Sequence, residues 1–157
     1  MCGISGVLRL GGSEGIDLDR CVEMMARQLR HRGPDRLSTW VATDGQVAFG
    51  HTRLAVVDVS PAGDQPMTSS DGRWTITYNG EIYNSGSLLT DLKTPHSGFR
   101  GHSDTEIFLE CVTAWGVRKT LERAVGMFAF AIWDNERSQL WLARDRFGEK
   151  PLYYARH

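Results

Sequence analysis

Short apolar runs rich in β-branched residues recur along the chain, and most of them end at glycine or at a polar turn. This pattern is typical of strands. It predicts strands at Ile4–Leu10, Leu37–Thr43, Gln46–Arg53, Trp74–Tyr78, Gly126–Trp133 and Gln139–Ala143, and the start of another at Leu152–Ala155. Asp44 and Gly45 separate the second strand from the third. Both residues tolerate the positive φ of a tight hairpin, so we expect antiparallel pairing there.

Two segments have the apolar spacing of helices instead. The first begins after Asp17, a residue suited to capping a helix start, and its core-facing stripe comprises Leu18, Val22, Met25 and Leu29. The second begins at Ser103–Glu106, where serine and glutamate have the spacing of a capping box. Its stripe comprises Ile107, Phe108, Cys111, Val112 and Trp115. Cys111 is therefore expected in the core, and Cys21, beside the first stripe, is expected to act as a small buried hydrophobe.

Composition and charge limit the class of protein. The chain has 157 residues, of which 41% are apolar, enough for one domain with a sizeable core. A net charge of −1 without basic runs argues against a nucleic-acid or membrane-surface partner. No apolar stretch approaches the roughly 18 residues of a membrane helix, and no signal sequence is present, which predicts a cytoplasmic protein. The three cysteines are too few and too widely spaced for a disulfide framework or a Cys-x-x-Cys zinc site.

The strongest candidate for chemistry is Cys2, which lies outside any apolar pattern. Met1 is the residue that cellular processing usually removes when a small side chain follows it. Its removal would give Cys2 both a thiol and a free α-amine, whose reference pKa of about 7.7–8.0 suits a proton acceptor near neutral pH. A thiol needs such a base because little of it is thiolate at pH 7. The alternative is that Cys2 is an ordinary residue of a frayed end.

Three further polar positions have both a structural and a chemical interpretation. Arg53 lies between apolar neighbours, so its guanidinium either reaches the surface or grips a carboxylate. Asn79 and Gly80 follow a predicted strand and form either a plain hairpin turn or a pair of neutral donors for an oxyanion. Gly80 would also let a substrate approach the backbone closely. Asp104 is in itself only a favourable charge at the positive end of a helix.

Six blocks of the sequence carry a resemblance to a known family: Cys2–Ile4, Arg30–Asp35, His51–Leu54, Asn79–Asn84, Ser103–Glu106 and Arg146–Tyr154. In this order they resemble the glutaminase domain of glutamine-dependent asparagine synthetases, which are class II amidotransferases among the N-terminal nucleophile hydrolases. Sister families share the initial cysteine and the Asn-Gly pair. The third and sixth blocks are more similar to the asparagine synthetase type.

The resemblance implies an α+β fold for residues 1–157, a four-layer α/β/β/α sandwich in which helices flank two antiparallel sheets. It also implies the hydrolysis of glutamine to glutamate and ammonia, in which Cys2 attacks the side-chain amide and its α-amine relays the proton. The other implied roles are oxyanion binding by Asn79 and Gly80, α-carboxylate binding by Arg53, and α-ammonium binding by Asp104 with help from Glu81.

The sequence ends at His157, and from the resemblance we expect the glutaminase domain to be truncated at its C-terminus and the family's synthetase domain to be absent. No Ser-Gly-Gly-x-Asp-Ser stretch is present to bind pyrophosphate, so we expect no cofactor in this chain and assign ATP and Mg to the missing domain. The chain could be a fragment or a free-standing subunit. The implied partners are glutamine and an ATP-dependent synthetase domain or subunit that accepts ammonia, with a homo-oligomer as a further option.

Two other functions remain open from the sequence. One is a binding or regulatory module of the same family that retains the glutamine pocket without turnover. The other is a Cys–His hydrolase or a metal site built from His31, His51, His96 or His102. No two of these histidines have the three- or four-residue separation of a helical metal pair, so we predict no metal site.

Overall fold

Two antiparallel sheets form the centre of the molecule in the computed structural model, which describes residues 1–11, 15–56, 58–92 and 98–156. The first sheet has the order β1-β3-β2 and contains β1 (Gly3–Leu8), β2 (Arg36–Val41) and β3 (Val47–Arg53). The second has the order β4-β5-β6-β7 and contains β4 (Met67–Thr68), β5 (Trp74–Ile82), β6 (Gly126–Asp134) and β7 (Gln139–Arg144). All strand pairs are antiparallel, including the predicted β2–β3 hairpin.

Helices cover the outer face of each sheet. Helix α1 (Leu18–Gln28) packs on the first sheet, and α3 (Asp104–Trp115) packs on β5 in the second. Helices α2 (Ser85–Leu92) and α4 (Val117–Arg123) pack against α3. The predicted four-layer α/β/β/α sandwich is therefore confirmed. None of the helices in the described part of the chain has the length and apolar character needed to cross a membrane.

The apolar residues form separate clusters in the layers. Phe49 of β3 and Trp133 of β6 belong to a cluster between the two sheets and are each about 1% exposed. A larger cluster lies between the second sheet and its helices, where the ring of Phe108 on α3 contacts Phe128 and Phe130 of β6. The core thus fixes the second sheet on both faces, and β5 lies at its centre with buried residues along most of its length.

The helix starts form largely as predicted, but the capping box does not. Asp17 caps α1, where it accepts a hydrogen bond from the Arg20 N–H at 3.1 Å. Ser103 caps α3 by accepting from the Glu106 N–H at 3.2 Å. The Glu106 carboxylate does not complete the box, because it binds the backbone N–H groups of Arg100 and Gly101 instead.

Several other predictions were wrong. Leu152–Ala155 forms no strand. Met25 is 40% exposed, and Ala26 takes its place on the buried face of α1 because the helix turns that face one residue later. Cys111 is fully buried, as predicted, whereas Cys21 is only half-buried. The sequence patterns also missed α2, α4 and the two-residue strand β4.

Candidate active site

One cleft with a volume of about 270 Å³ collects every residue that the sequence analysis proposed for glutamine chemistry. Its lining includes the six predicted residues Cys2, Arg53, Asn79, Gly80, Glu81 and Asp104. It also includes residues that the sequence analysis did not single out, among them Gln65, Tyr78 and Lys150. The cleft lies where the first sheet, the β5 edge and the start of α3 meet.

Cys2 lies at the end of β1, one residue beyond the pairing of Gly3 with Thr52 of β3. Its thiol is half-buried, and the Leu54 N–H donates to Sγ at 3.5 Å. The thiol can in turn donate to the Leu54 carbonyl at 3.8 Å. Met1 is 57% exposed and lies at the same cleft, where its Sδ accepts from the Lys150 Nζ at 3.2 Å.

The edge of β5 that faces the cleft lacks a neighbouring strand. In an antiparallel pair, alternate residues direct both backbone polar groups to the same side. The Tyr83 N–H bonds to the Val125 carbonyl at 2.8 Å, so the odd-numbered residues of β5 pair with β6. The even-numbered residues point to the opposite edge, which β4 covers only as far as Ile76. Beyond that point, the backbone groups of β5 need other partners.

Side chains replace the missing strand at two of these positions. The Tyr78 N–H donates to Gln65 Oε1 at 2.7 Å, and the Ile82 N–H donates to Asp104 Oδ2 at 2.8 Å. Gly80 lies between them, and its N–H is directed to the same edge, where no described residue accepts a hydrogen bond from it. Asn79 also lines the cleft and is only 5% exposed. A backbone donor and an adjacent side-chain amide are therefore present at the cleft, the donor types that stabilise an oxyanion.

The hairpin interpretation of Asn79 and Gly80 is wrong, because both residues lie inside β5. They pair with Ala129 and Phe128 of β6. A Cβ atom on Gly80 would lie 2.6 Å from the Phe128 Cα, so the position has no room for a side chain. Glycine is required here by the close approach of β6 rather than by a turn.

Arg53 is 8% exposed and is held by the loop between β3 and β4. Its Nη1 donates to the Ser60 carbonyl at 2.8 Å and to Asp64 Oδ1 at 2.7 Å, and its Nη2 donates to the Asp58 carbonyl. These bonds use three of the five N–H donors of a guanidinium. The remaining donors, on Nε and Nη2, have no partner among the described residues and can serve a carboxylate in the cleft. Asp64, which also pairs with Arg36 at 2.6 Å, was missed by the sequence analysis.

Asp104 is one of three carboxylates that line the cleft, together with Asp58 and Glu81. Burial raises the pKa of Asp104, and Glu81 adds to this effect, while hydrogen bonds from the Ile82 and Thr105 N–H groups and the Tyr78 hydroxyl oppose it. The Tyr78 hydroxyl donates to Asp104 Oδ2 at 3.3 Å, and burial raises the pKa of Tyr78 well above 10, which keeps this hydroxyl a donor. A half-buried, incompletely neutralised carboxylate in a cleft is suited to bind a cation.

The histidines do not form a metal site in the described part of the chain, where no group of three or more potential ligands is present. His51 is 1% exposed, and burial lowers its pKa to about 4. Its Nε2 lies 3.2 Å from the Tyr78 carbonyl, so Nε2 carries the proton and donates it. His31 and His102 are exposed, and His96 lies outside the described residues.

The segment Arg30–Asp35, one of the six blocks, shapes the cleft without lining it. Gly33 packs against the backbone of β3 at Thr52 and Arg53, where a Cβ atom would clash. The Asp35 N–H bonds to the Arg53 carbonyl at 3.0 Å, and Asp35 Oδ2 accepts from the Ala55 N–H at 2.8 Å. This segment therefore fixes the backbone that presents Arg53.

A second turn supports the cleft from the other side. Asp145 accepts the backbone N–H groups of four residues, which are Phe128, Phe147, Glu149 and Lys150. This turn places Lys150, 6% exposed, in the lining of the cleft. Neither residue could be assigned from the sequence, because the role of Asp145 depends on donors that come together only in the fold.

Comparisons with known proteins show which family the chain belongs to. The family model for the glutamine amidotransferase domain matches residues 1–157. A putative glutamine-hydrolysing asparagine synthetase of Mycobacterium tuberculosis is 38% identical over 99% of this chain and 25% of its own length. Asparagine synthetase 3 of Bacillus subtilis is 39% identical, with the same coverage. The chain thus spans about a quarter of the length of these relatives.

The fold is also similar to a solved structure, the glutamine phosphoribosylpyrophosphate amidotransferase of Bacillus subtilis in complex with ADP and GMP. The TM-score is 0.69 at 20% identity, and the match covers 92% of this chain and 36% of that one. This likeness concerns the fold alone. The family match over the whole sequence shows that the chain belongs to the glutamine amidotransferase domain family.

Proposed function

We propose that this chain hydrolyses glutamine to glutamate and ammonia and supplies the ammonia to an ATP-dependent amidation of the asparagine synthetase type. The observation that carries the proposal is the cleft itself. It brings together the thiol of the second residue, an N–H on an uncovered strand edge, a buried guanidinium and a half-buried carboxylate. Each of these groups matches one part of glutamine: the amide carbon, the amide oxygen, the α-carboxylate and the α-ammonium.

The chemical steps begin after removal of Met1. The α-amine of Cys2 accepts the thiol proton, and sulfur bonds to the amide carbon of glutamine while the carbonyl electrons move to oxygen. Asn79 and the Gly80 N–H stabilise this oxyanion, and one such donor is worth on the order of 3 kcal/mol. When the carbonyl re-forms, the C–N bond breaks, and the amine returns the proton to the leaving ammonia. Water then cleaves the thioester, with the same amine as base, and glutamate leaves.

Substrate orientation requires two fixed charges. Arg53 binds the α-carboxylate through the N–H groups not used by its own loop, and Asp104 binds the α-ammonium, assisted by Glu81. Opposite charges at fixed positions determine which end of the ligand reaches the thiol, which is the positional contribution to the rate. The proposal therefore predicts selectivity for an amino acid with free α-amino and α-carboxyl groups.

The direct test is glutamate release from glutamine by protein whose first residue is shown by intact mass to be Cys2. Cys2→Ala is expected to lower kcat by more than about a thousandfold, because the nucleophile is lost. Cys21→Ala is the matched control, since it removes a thiol that lies outside the cleft. Equal activity of wild type and Cys2→Ala would reject the proposal.

A second measurement separates the enzyme from a binding module of the same family. Cleavage of an N-terminal tag directly before Cys2 yields the free α-amine, and uncleaved protein is its control. The proposal predicts hydrolysis only by the cleaved form. Calorimetric binding of glutamine by the cleaved form, without glutamate release, would favour the binding module.

A further inference from the structure

The peptide groups that flank Tyr78, immediately before Asn79, are held by side chains from two other parts of the chain. The Tyr78 N–H donates to Gln65 Oε1 at 2.7 Å. The Tyr78 carbonyl accepts from the His51 Nε2 at 3.2 Å. Both side chains are buried, Gln65 at 7% and His51 at 1% exposure. Because water does not compete with such bonds, their loss would leave polar groups without partners at a measurable cost.

These two bonds connect the separate parts of the cleft. His51 lies on β3 opposite Ile4 of β1, the strand that carries Cys2 at its end. Its ring thus reaches from the sheet of the nucleophile to the strand of the oxyanion donors. Gln65 Nε2 donates to Thr105 Oγ1 at 3.3 Å, and Thr105 follows Asp104 directly in α3. Gln65 therefore links the same strand to the helix start that carries the carboxylate.

The mechanism uses neither side chain for a chemical step. Burial holds the pKa of His51 at about 4, so the ring is neutral at physiological pH and keeps its Nε2 proton as a donor. The amide of Gln65 does not titrate near neutral pH, so it cannot act as a general acid or base. What both side chains can do is fix the direction of the Gly80 N–H, since β4 no longer supports β5 at this point.

We propose that Gln65 and His51 are positioning residues that act on the oxyanion donors Asn79 and Gly80 through the Tyr78 peptide groups. This inference rests on the glutaminase function proposed above. A misplacement of about 1 Å at a reacting centre can cost about a hundredfold in rate. An effect on the oxyanion alone leaves the ground-state amide and the two charged ends of glutamine bound as before. The cost is therefore expected in kcat rather than in KM.

The test compares kcat and KM for glutamine in Gln65→Met, His51→Leu and His51→Gln. Methionine keeps the length of Gln65 but cannot accept the Tyr78 N–H, and leucine cannot donate to its carbonyl. We expect kcat to fall about tenfold to a hundredfold in both variants, with KM within about threefold of wild type. His51→Gln supplies an N–H donor again, and it is expected to recover most of the loss in kcat.

Thr77→Val is the matched control. The Thr77 Oγ1 donates to the Gly50 carbonyl at 3.4 Å and links the same two strands, β5 and β3, without touching the Tyr78 peptide groups. Valine has nearly the same shape, so this variant loosens the contact between the sheets but keeps Gln65 and His51 in place. We expect its kcat to stay within about twofold of wild type. A fall as large as that of His51→Leu would show that general loosening is responsible and would overturn the inference.

An independent measurement of Cys2 reactivity makes the kcat comparison decisive. Alkylation of Cys2 by iodoacetamide, followed by mass spectrometry, is expected at the wild-type rate in all variants because the nucleophile is unchanged. If the wild type releases glutamate and Gln65→Met and His51→Leu match its kcat, the inference fails while the glutaminase function stands. If the wild type with a free Cys2 releases no glutamate, the function itself fails. If His51→Leu does not fold, the comparison of kcat between Gln65→Met and Thr77→Val decides the question.

Discussion

Asp145, a buried carboxylate that supports the cleft, and Asp104, a half-buried carboxylate in its lining, differ in how many donors surround them. Asp145 is 5% exposed and accepts four backbone N–H groups at 2.9 to 3.2 Å. Burial opposes its charge, but these bonds outweigh burial and lower the pKa of Asp145. Asp104 receives two backbone N–H groups and one hydroxyl, which do not outweigh its burial, so its pKa is raised.

The difference in hydrogen bonding suits the two carboxylates to different roles, Asp145 to holding a loop and Asp104 to binding a ligand. The charge of Asp145 is satisfied by its own turn, so this residue stabilises the loop that places Lys150. The charge of Asp104 is held in the cleft at a cost, and only a cationic ligand would compensate it fully. A raised pKa together with a place in a cleft makes Asp104 a candidate functional carboxylate. Exchange of each carboxylate for the neutral amide is therefore the sharpest comparison.

The largest expected effect is that of Asp104→Asn on catalysis. The amide can still accept from the Ile82 N–H and the Tyr78 hydroxyl, but it cannot neutralise an ammonium group. We expect kcat/KM for glutamine to fall by about a hundredfold or more, mostly through KM. Steady-state glutamate release measures this. A loss of less than about fivefold would remove Asp104 from the substrate site.

The same variant is expected to have nearly the stability of wild type. Because the folded-state pKa of Asp104 is raised, ionisation of this residue destabilises the fold, and that penalty is fully present above the folded-state pKa. Asparagine removes this penalty, but it also loses one of the two oxygens that serve the Ile82 and Thr105 N–H groups and the Tyr78 hydroxyl. The free energy of unfolding at neutral pH is therefore expected to stay within about 1 kcal/mol of wild type. Urea denaturation monitored by tryptophan fluorescence measures this.

The next effect is the loss of stability in Asp145→Asn. One amide oxygen cannot accept four N–H groups, and the new NH₂ faces donors instead of acceptors. We expect the free energy of unfolding at neutral pH to fall by about 2–3 kcal/mol, with KM for glutamine within about threefold of wild type in the folded protein. Asp91→Asn is the control, since its exposed ion pair with Arg123 is worth less than about 1 kcal/mol. Equal losses in the two variants would contradict this account of Asp145.

The smallest effect concerns Glu81, which is exposed and contributes to the raised pKa of Asp104. Glu81→Gln removes a negative charge and is expected to lower the pKa of Asp104. Since Asp104 must be ionised to bind an ammonium group, the acid limb of the kcat/KM profile is expected to move to lower pH. Profiles of both proteins between about pH 5 and pH 8 test this. A rise in KM at every pH would instead indicate direct binding of the substrate by Glu81.

The sequence was sufficient to predict helix caps and most strands, because these depend on residues that are close along the chain. Asp17 and Ser103 cap their helices as predicted, because a cap involves N–H groups only a few residues away. The strands of both sheets also follow local apolar patterns, apart from β4, whose two residues are too short to form a pattern. The family resemblance selected six residues that line one cleft in the structure, a selection that periodicity alone would not have made.

The sequence was insufficient to predict hydrogen bonds between residues that are distant along the chain or lie in irregular loops. Glu106 fits a capping box, yet in the fold it binds Arg100 and Gly101, which offer it more donors. The partners of Arg53 come from a loop with no periodic signal. Gln65 has no local signal at all, because its role depends on the N–H of Tyr78, thirteen residues away along the chain.

The shortness of β4 has a consequence for how the protein meets other chains. An exposed strand edge offers a row of alternating donors and acceptors onto which a second chain can add, a route to aggregation. Along β5 this row is interrupted, because side chains bind the Tyr78 and Ile82 N–H groups and the Tyr78 carbonyl. Of the N–H groups on this edge beyond β4, the one of Gly80 has no acceptor among the described residues, and it is set within a cleft. A single N–H cannot act as a template for another strand, so the edge can admit a small molecule while it resists edge-to-edge association.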